Sequence, residues 1–328
     1  MVPGITHCIG IDGGGTKTEG VLTDLRGRVL CVKKYGPSNP NDVGLETAVE
    51  LIASLVEDLL KDGGVSLEHT TVFAGISGAL AQREIMTDLL RRRWPAVGAL
   101  AVHSDVINLL AAEAPTGEGA CLICGTGSVC FVRKGDALRR IGGWGYLLDG
   151  GGSGYDIGRM ALSLALRAHD GRADAAELKP LTDALTAHLG GPPHEMMTEI
   201  YKQGKPLIAA CAPVVFDLAR QGDHAAERIL DDNAFALAEC ITAALDQQTE
   251  GEPLPVILGG SICVKEAPLW TDRIRGLMTS SAASRVILQI SGAPPVLGAL
   301  IEAMAQTVDD RAAAFSAFKQ AFLGTYLP

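Results

Sequence analysis

The sequence predicts an α/β protein built from two duplicated lobes with an interlobe cleft. A chain of 328 residues, 47% of them hydrophobic, is long enough for two cores rather than one. The same order of strands, glycine turns and helices occurs twice along it, and the second occurrence is interrupted by a long block of helical spacing.

The elements follow in order. "HCIGIDGGG", from His7, reads as a short buried strand, and "TEGVLTDLRGRVLCVKKYG", from Thr18, as two strands joined by a turn at Gly27. "LETAVELIASLVEDLLKDGG", from Leu45, is an amphipathic helix that stops on glycines. "TTVFAGISGAL" is a strand entering a glycine turn, followed by the helix "AQREIMTDLLRRRW"; "ALAVHSDVINLLAAEA" is a strand, a polar break at His103 to Asp105, and a helix. The series then restarts. "GACLICGTGSVCFVRKGDALRRIGG" matches the opening hairpins, with its tight turn at Gly135, while "PLPVILGGSICVKEAP" and "RVILQISGAPPVLGALIEAMA" match the two later strand–helix pairs. The expected boundaries are a first lobe at 1–116 and a second at 117–311 with a helical insertion at about 156–251. The terminal helix, 312–328, is expected to pack back on the first lobe.

A net charge of -10 argues against a nucleic-acid partner, and Arg91, Arg92 and Arg93 read as a solvated helix end. No apolar run is long enough to span a bilayer and no signal-peptide pattern opens the chain, so a cytoplasmic protein without a membrane partner is expected. Of the eight cysteines, Cys121 and Cys124 form a CxxC without a second pair at zinc spacing, and "HEMMT" at His194 lacks a second histidine. Structural thiols are the simpler reading.

"CIGIDGGGTKTEG" invites comparison with two common nucleotide loops, and its spacing excludes both. Counted from Gly10, Thr16 stands where a Walker A loop needs lysine, and Thr18 stands where a dinucleotide fingerprint needs its third glycine. A glycine turn between strands can still bring the backbone N–H groups of Gly13 to Thr16 close to phosphate oxygens, with Asp12 beside them to hold a hydrated Mg²⁺. A lone turn of this kind is more simply a tight hairpin. A second one at "CGTGS", Cys124 to Ser128, shifts the balance toward a phosphate clamp. Ser104 and Asp105 can equally cap the helix that follows or offer a carboxylate to a substrate hydroxyl.

These motifs, taken in order, resemble the BadF/BadG/BcrA/BcrD-type ATPase family and its N-acetylglucosamine kinases, within the sugar kinase, actin and chaperone ATPase superfamily. "IDGGGTKT" resembles the first phosphate motif, "CGTGS" the second, "GGS" at Gly259 the adenosine motif and "PVLGAL" the second connecting helix. "GPSNPNDVG" at Gly36 and "GGWGYLLDGGGSGYDIGR" at Gly142 resemble the sugar-side segments.

The resemblance implies ribonuclease H-like (actin-like) lobes and an ATP- and Mg²⁺-dependent kinase that phosphorylates N-acetylglucosamine or a related amino sugar, with the 6-hydroxyl as acceptor, in a homodimeric protein. It places Gly13, Gly14, Gly15, Thr16, Lys17 and Thr18 with Gly125, Thr126 and Gly127 at the ATP phosphates, where Thr16 and Thr126 make the contacts and Lys17 is peripheral. Gly259, Gly260 and Ser261 fall at the adenosine and Asp12 at the metal. Asn39, Ser77, Gly78, Asp105, Ser128, Gly143, Trp144, Gly145 and Asp149 fall at the sugar, with Asp105 as catalytic base.

The sequence departs from the family where "GDEGS" is usual: Gly150 replaces the Asp and Gly151 the Glu, with Asp149 available one residue earlier. Two other functions stay open at this point. One is an ATPase that activates a reductase or dehydratase through an iron–sulfur cluster. The other is a sugar or nucleotide sensor with impaired catalysis.

Overall fold

A computed structural model of the chain describes residues 4–248 and 252–326. The ends of the expected insertion and of the terminal helix, at Gly251 and Pro328, lie outside the described residues.

Two compact units divide the chain. The first comprises 1–118 with 291–328, and the second comprises 119–290. The first holds β1 (His7–Gly13), β2 (Thr18–Asp24), β3 (Val29–Tyr35), β4 (Thr70–Ile76) and β5 (Ala99–His103), in the order β3-β2-β1-β4-β5. The second holds β6 (Gly119–Cys124), β7 (Ser128–Lys134), β8 (Ala137–Ile141), β9 (Leu254–Gly259) and β10 (Val286–Ile290), in the order β10-β9-β6-β7-β8. Read from the β8 edge, the second sheet repeats the first strand for strand. In each, two antiparallel hairpin pairs precede two parallel pairings. The α/β duplication expected from the chain is therefore present in the folded protein.

Burial explains why the central strands read as unbroken apolar runs. β4 is buried at all seven positions, because helices cover both faces of a parallel strand. Helix Leu45–Gly63 buries Ile52, Leu55, Val56 and Leu59 against this sheet and ends on Gly64 in the left-handed region. The core of the second unit is largely helical. Helices Gly154–His169, Ala212–Arg220 and His224–Leu245 supply Ile157, Val215, Phe216, Ile229 and Leu237 to it, around the β6 and β9 side chains Leu122 and Leu258.

One boundary differs from the expectation. Helix Pro295–Ala305, which chain order assigned to the second lobe through residue 311, belongs to the first unit and packs on β1 and helix Val106–Glu113. Close approach requires Gly298 there, since a Cβ at that position would overlap the backbone carbonyl of Asn108. Glu113 anchors the re-entry. Its Oε1 accepts the backbone N–H groups of Gly292 and Ala293 at 2.9 Å each, and its Oε2 accepts from Lys319 Nζ at 2.6 Å. The terminal helix, Arg311–Thr325, also packs on the first unit: Phe315, Phe318 and Phe322 are buried, and Tyr326 Oη donates to Glu19 at 3.0 Å. Among the described residues no helix is long and apolar enough to cross a membrane.

Candidate active site

In the first unit, three adjacent parallel strands end together, and chemistry-bearing residues gather at their carboxyl ends, where open α/β sheets bind ligands. Asp12 lies near the end of β1, Ser77 follows β4, and Ser104 and Asp105 follow β5. Ser77 N–H donates to Gly13 O at 2.8 Å, which locks the β4 turn onto the glycine turn of β1. Ser104 Oγ donates to Asp105 Oδ1 at 3.2 Å and accepts from Val106 N–H at 3.4 Å, so the serine takes part in capping the helix that starts there.

Both carboxylates are strained electrostatically. Burial pushes Asp12 up to about 6, helped by the charges of Asp105 and Glu19 and opposed by a hydrogen bond from Asn108 and the charge of Lys17. Burial also raises Asp105, against hydrogen bonds from Ser104 and Ser77 and from the backbone. Asn108 Nδ2 reaches Asp12 Oδ1 at 2.8 Å and also Gly75 O at 3.2 Å and Ile11 O at 3.3 Å. Two largely buried carboxylates, the charge of Asp105 raising Asp12, suit a hard divalent cation, which takes one or two carboxylates together with phosphate oxygens and water.

The β1–β2 turn closes through Gly14 N–H to Lys17 O at 3.0 Å, leaving Gly15, Thr16 and Lys17 exposed. Thr18 does not join them. It is fully buried and its hydroxyl donates to Gly36 O and bridges to Ser38 Oγ, each at 2.8 Å, so it ties down the 36–38 segment instead of facing a phosphate. Asn39 follows that segment, its Oδ1 accepting from Asn41 N–H at 3.0 Å, and Gly78 lies directly against its carboxamide.

In the second unit, the Gly125–Gly127 turn closes through Gly125 N–H to Gly127 O at 2.8 Å and is tied to the insertion by Gly154 N–H to Gly125 O at 2.7 Å. Gly260, at φ 86°, leaves β9 so close to this turn that any Cβ would run into the Cys124 backbone. A cavity of about 270 Å³ lies beside it, walled by Gly125, Thr126 and Ser261 together with Pro206, Pro213 and Phe216 from insertion helices. Gly259, by contrast, is buried as the last residue of β9. The second phosphate-like turn and the "GGS" segment, distant in sequence, thus border one cavity.

The loop after β8 carries the remaining candidates. Gly142, Gly143 and Gly145 all have positive φ, and the Trp144 ring stands 64% exposed with the Arg140 guanidinium 4.7 Å from its centroid. Asp149 N–H donates to Gly145 O at 2.8 Å, closing the loop under the tryptophan. Ser128 donates its hydroxyl to Gly151 O at 2.7 Å, so it also holds this loop in place.

Residues 9–303 match the model of the BadF/BadG/BcrA/BcrD ATPase family. The chain belongs to that family. It is 33% identical over 249 residues to the N-acetylmuramic acid/N-acetylglucosamine kinase of Clostridium acetobutylicum, covering 73% of this chain and 79% of the relative. It is 32% identical over 279 residues to the N-acetyl-D-glucosamine kinase of Dictyostelium discoideum, covering 77% and 85%. A crystal structure from Chromobacterium violaceum, described as a candidate N-acetylglucosamine kinase, aligns with TM-score 0.65 and 27% identity over 91% of this chain and 99% of that one.

Within this BadF/BadG/BcrA/BcrD family member, the sequence missed two features. Asn108 sits in the otherwise apolar "VINLLAAEA", where a lone amide among buried aliphatics was the available signal. The prolines and Phe216 that wall the cavity come from an insertion whose helical pattern says only that it packs.

Proposed function

We propose that this protein transfers the γ-phosphate of ATP to the 6-hydroxyl of N-acetylglucosamine or a related amino sugar, with Asp105 as general base. It is an ATP-dependent carbohydrate kinase. The observation that carries the finer reading is the gathering of Asp105, Ser77 and Asp12 at the carboxyl ends of β1, β4 and β5.

Asp105 accepts the hydroxyl proton as the sugar oxygen bonds to the γ-phosphorus, and the bond from that phosphorus to the bridging oxygen breaks to release ADP. A carboxyl raised above its ordinary range is a stronger base for this transfer than a solvated one. Mg²⁺ held beside Asp12 would neutralise charge on the phosphates. Thr16 and Thr126, on the two exposed turns, contact phosphate oxygens. Ser261 borders the nucleotide cavity, and Gly260 before it packs against the Cys124 backbone. Asn39 and Trp144 bind the sugar, with Asp149 supplying the acceptor that Gly150 lacks. A homodimer in the cytoplasm completes the reading, and sedimentation and cell fractionation check it.

The test is a panel of hexoses, hexosamines and N-acetylhexosamines with ATP and Mg²⁺, read by sugar-phosphate formation. The wild type forms a 6-phosphate of an amino sugar, and Asp105→Asn loses about 10²- to 10⁴-fold in kcat. Unchanged turnover in that variant removes the base assignment; absence of any sugar phosphate removes the kinase reading.

A further inference from the structure

The second phosphate-like turn has a cation beside it that neither the glycine motifs nor the family pattern singled out. Lys205 opens the helix Lys205–Ala210 of the insertion, and a Cβ on Gly127 would stand 3.6 Å from its Nζ. Its ammonium lies 5.2 Å from the centroid of the Tyr146 ring, and among the described residues no carboxylate pairs with it. Tyr146 is itself held edge-on against Tyr155, centroids 4.9 Å apart, and Tyr155 N–H donates to Thr126 O at 3.3 Å. The lysine therefore stands beside a turn to which Tyr155, the ring that braces its aromatic support Tyr146, is bonded.

The next residue, Pro206, walls the cavity bordered by Gly125, Thr126 and Ser261, while Lys205 itself faces the neighbouring cavity of about 460 Å³ lined by Tyr146, Tyr155 and Ile208. Two other cations on that second cavity, Arg159 and Arg172, are neutralised by Asp156 and Asp170 at 2.7 and 2.5 Å. Lys205 alone of these three has only a π-face for company, and its charge falls at the glycine turn. A side chain at position 127 would shield the ammonium from anything bound on the turn; glycine leaves it open.

We propose that Lys205 is a phosphate-contacting cation of the nucleotide site, engaging the β- and γ-phosphates of ATP where they lie on the Gly125–Gly127 turn. The proposal rests on the reading of the 270 Å³ cavity as the nucleotide site. The charge of a lysine on a flexible stem suits a phosphate as a point-charge partner. The Tyr146 ring holds that charge in place until the nucleotide arrives.

The test is equilibrium binding of AMP, ADP and ATP, with Mg²⁺, to the full-length wild type, Lys205→Met and Lys205→Arg. Loss of one charge-assisted contact is expected to weaken ATP about 10- to 100-fold in Lys205→Met, with AMP unchanged and Lys205→Arg close to wild type. Equal weakening of AMP and ATP marks a structural role and overturns the proposal, as does wild-type ATP affinity in Lys205→Met. Wild-type protein that binds none of the three nucleotides overturns the nucleotide reading of the cavity, and the role of Lys205 with it.

Discussion

Asn108 Nδ2 donates to Asp12 Oδ1 at 2.8 Å while also reaching two backbone carbonyls, Ile11 O and Gly75 O, of the strands that flank it. One amide from the helix after β5 thus positions the carboxylate near the end of β1. Removing it with Asn108→Leu deletes the hydrogen bond that lowers Asp12, so the carboxyl titrates higher still. The apparent affinity for Mg²⁺ in the presence of ATP is expected to fall about tenfold near pH 6.5 and to recover partly by pH 8.5. Metal titration of activity at both pH values checks this; an equal loss at both would point to a packing defect alone.

Asp12 should cost the metal-free fold stability at neutral pH. Its folded value of about 6 lies above the ordinary carboxylate value, so the folded protein holds the proton more tightly than the unfolded chain does. The stability contributed by this group falls as pH rises through that window and is lowest above it. Asp12→Asn in metal-free buffer is expected to be more stable than wild type by about 2–3 kcal/mol at pH 7.5, with the difference gone near pH 4. Denaturant unfolding at the two pH values measures it.

Trp144 stands exposed on a loop shaped by left-handed glycines, with no core to serve. Trp144→Ala is expected to raise the sugar KM about 3- to 10-fold and leave the ATP KM unchanged, since a flat aromatic face contributes through contact with the ligand. Steady-state kinetics in each substrate separates the two; a matching rise in the ATP KM would reassign the ring.

Gly151 explains in part why the usual glutamate is missing. A Cβ at this position would sit 2.6 Å from Ala236 Cβ, inside contact distance. Gly151→Glu is expected to destabilise the protein by about 1–3 kcal/mol, and Gly151→Glu with Ala236→Gly to recover most of that. Thermal melts of the three proteins decide whether the site could carry the family residue without a change in helix His224–Leu245.

The chain's local patterns made the architecture readable. Apolar runs, turn glycines and helix spacing recur in the same order in both halves, and the two sheets share one strand order. The same patterns excluded a Walker loop by counting residues and brought Asp12 and Asp105 into view, while the family resemblance added Ser77; the fold gathers all three at adjacent strand ends. Thr18 shows the limit. In the sequence it extends a Thr-Lys-Thr turn, yet strand alternation directs its hydroxyl inward to Gly36 and Ser38.

The duplicated α/β order is legible in the amino-acid sequence because hydrophobic period and glycine placement act between near neighbours in the chain. The folded chain alone reveals that helix Pro295–Ala305 returns to the first unit, that Asn108 holds Asp12, and that insertion residues wall the cavity at the second glycine turn. Each depends on partners about 80 to 190 residues apart meeting through close packing at Gly298, a buried amide, or Lys205 beside Gly127. No local period encodes such meetings; they follow from which surfaces fit once the core has formed.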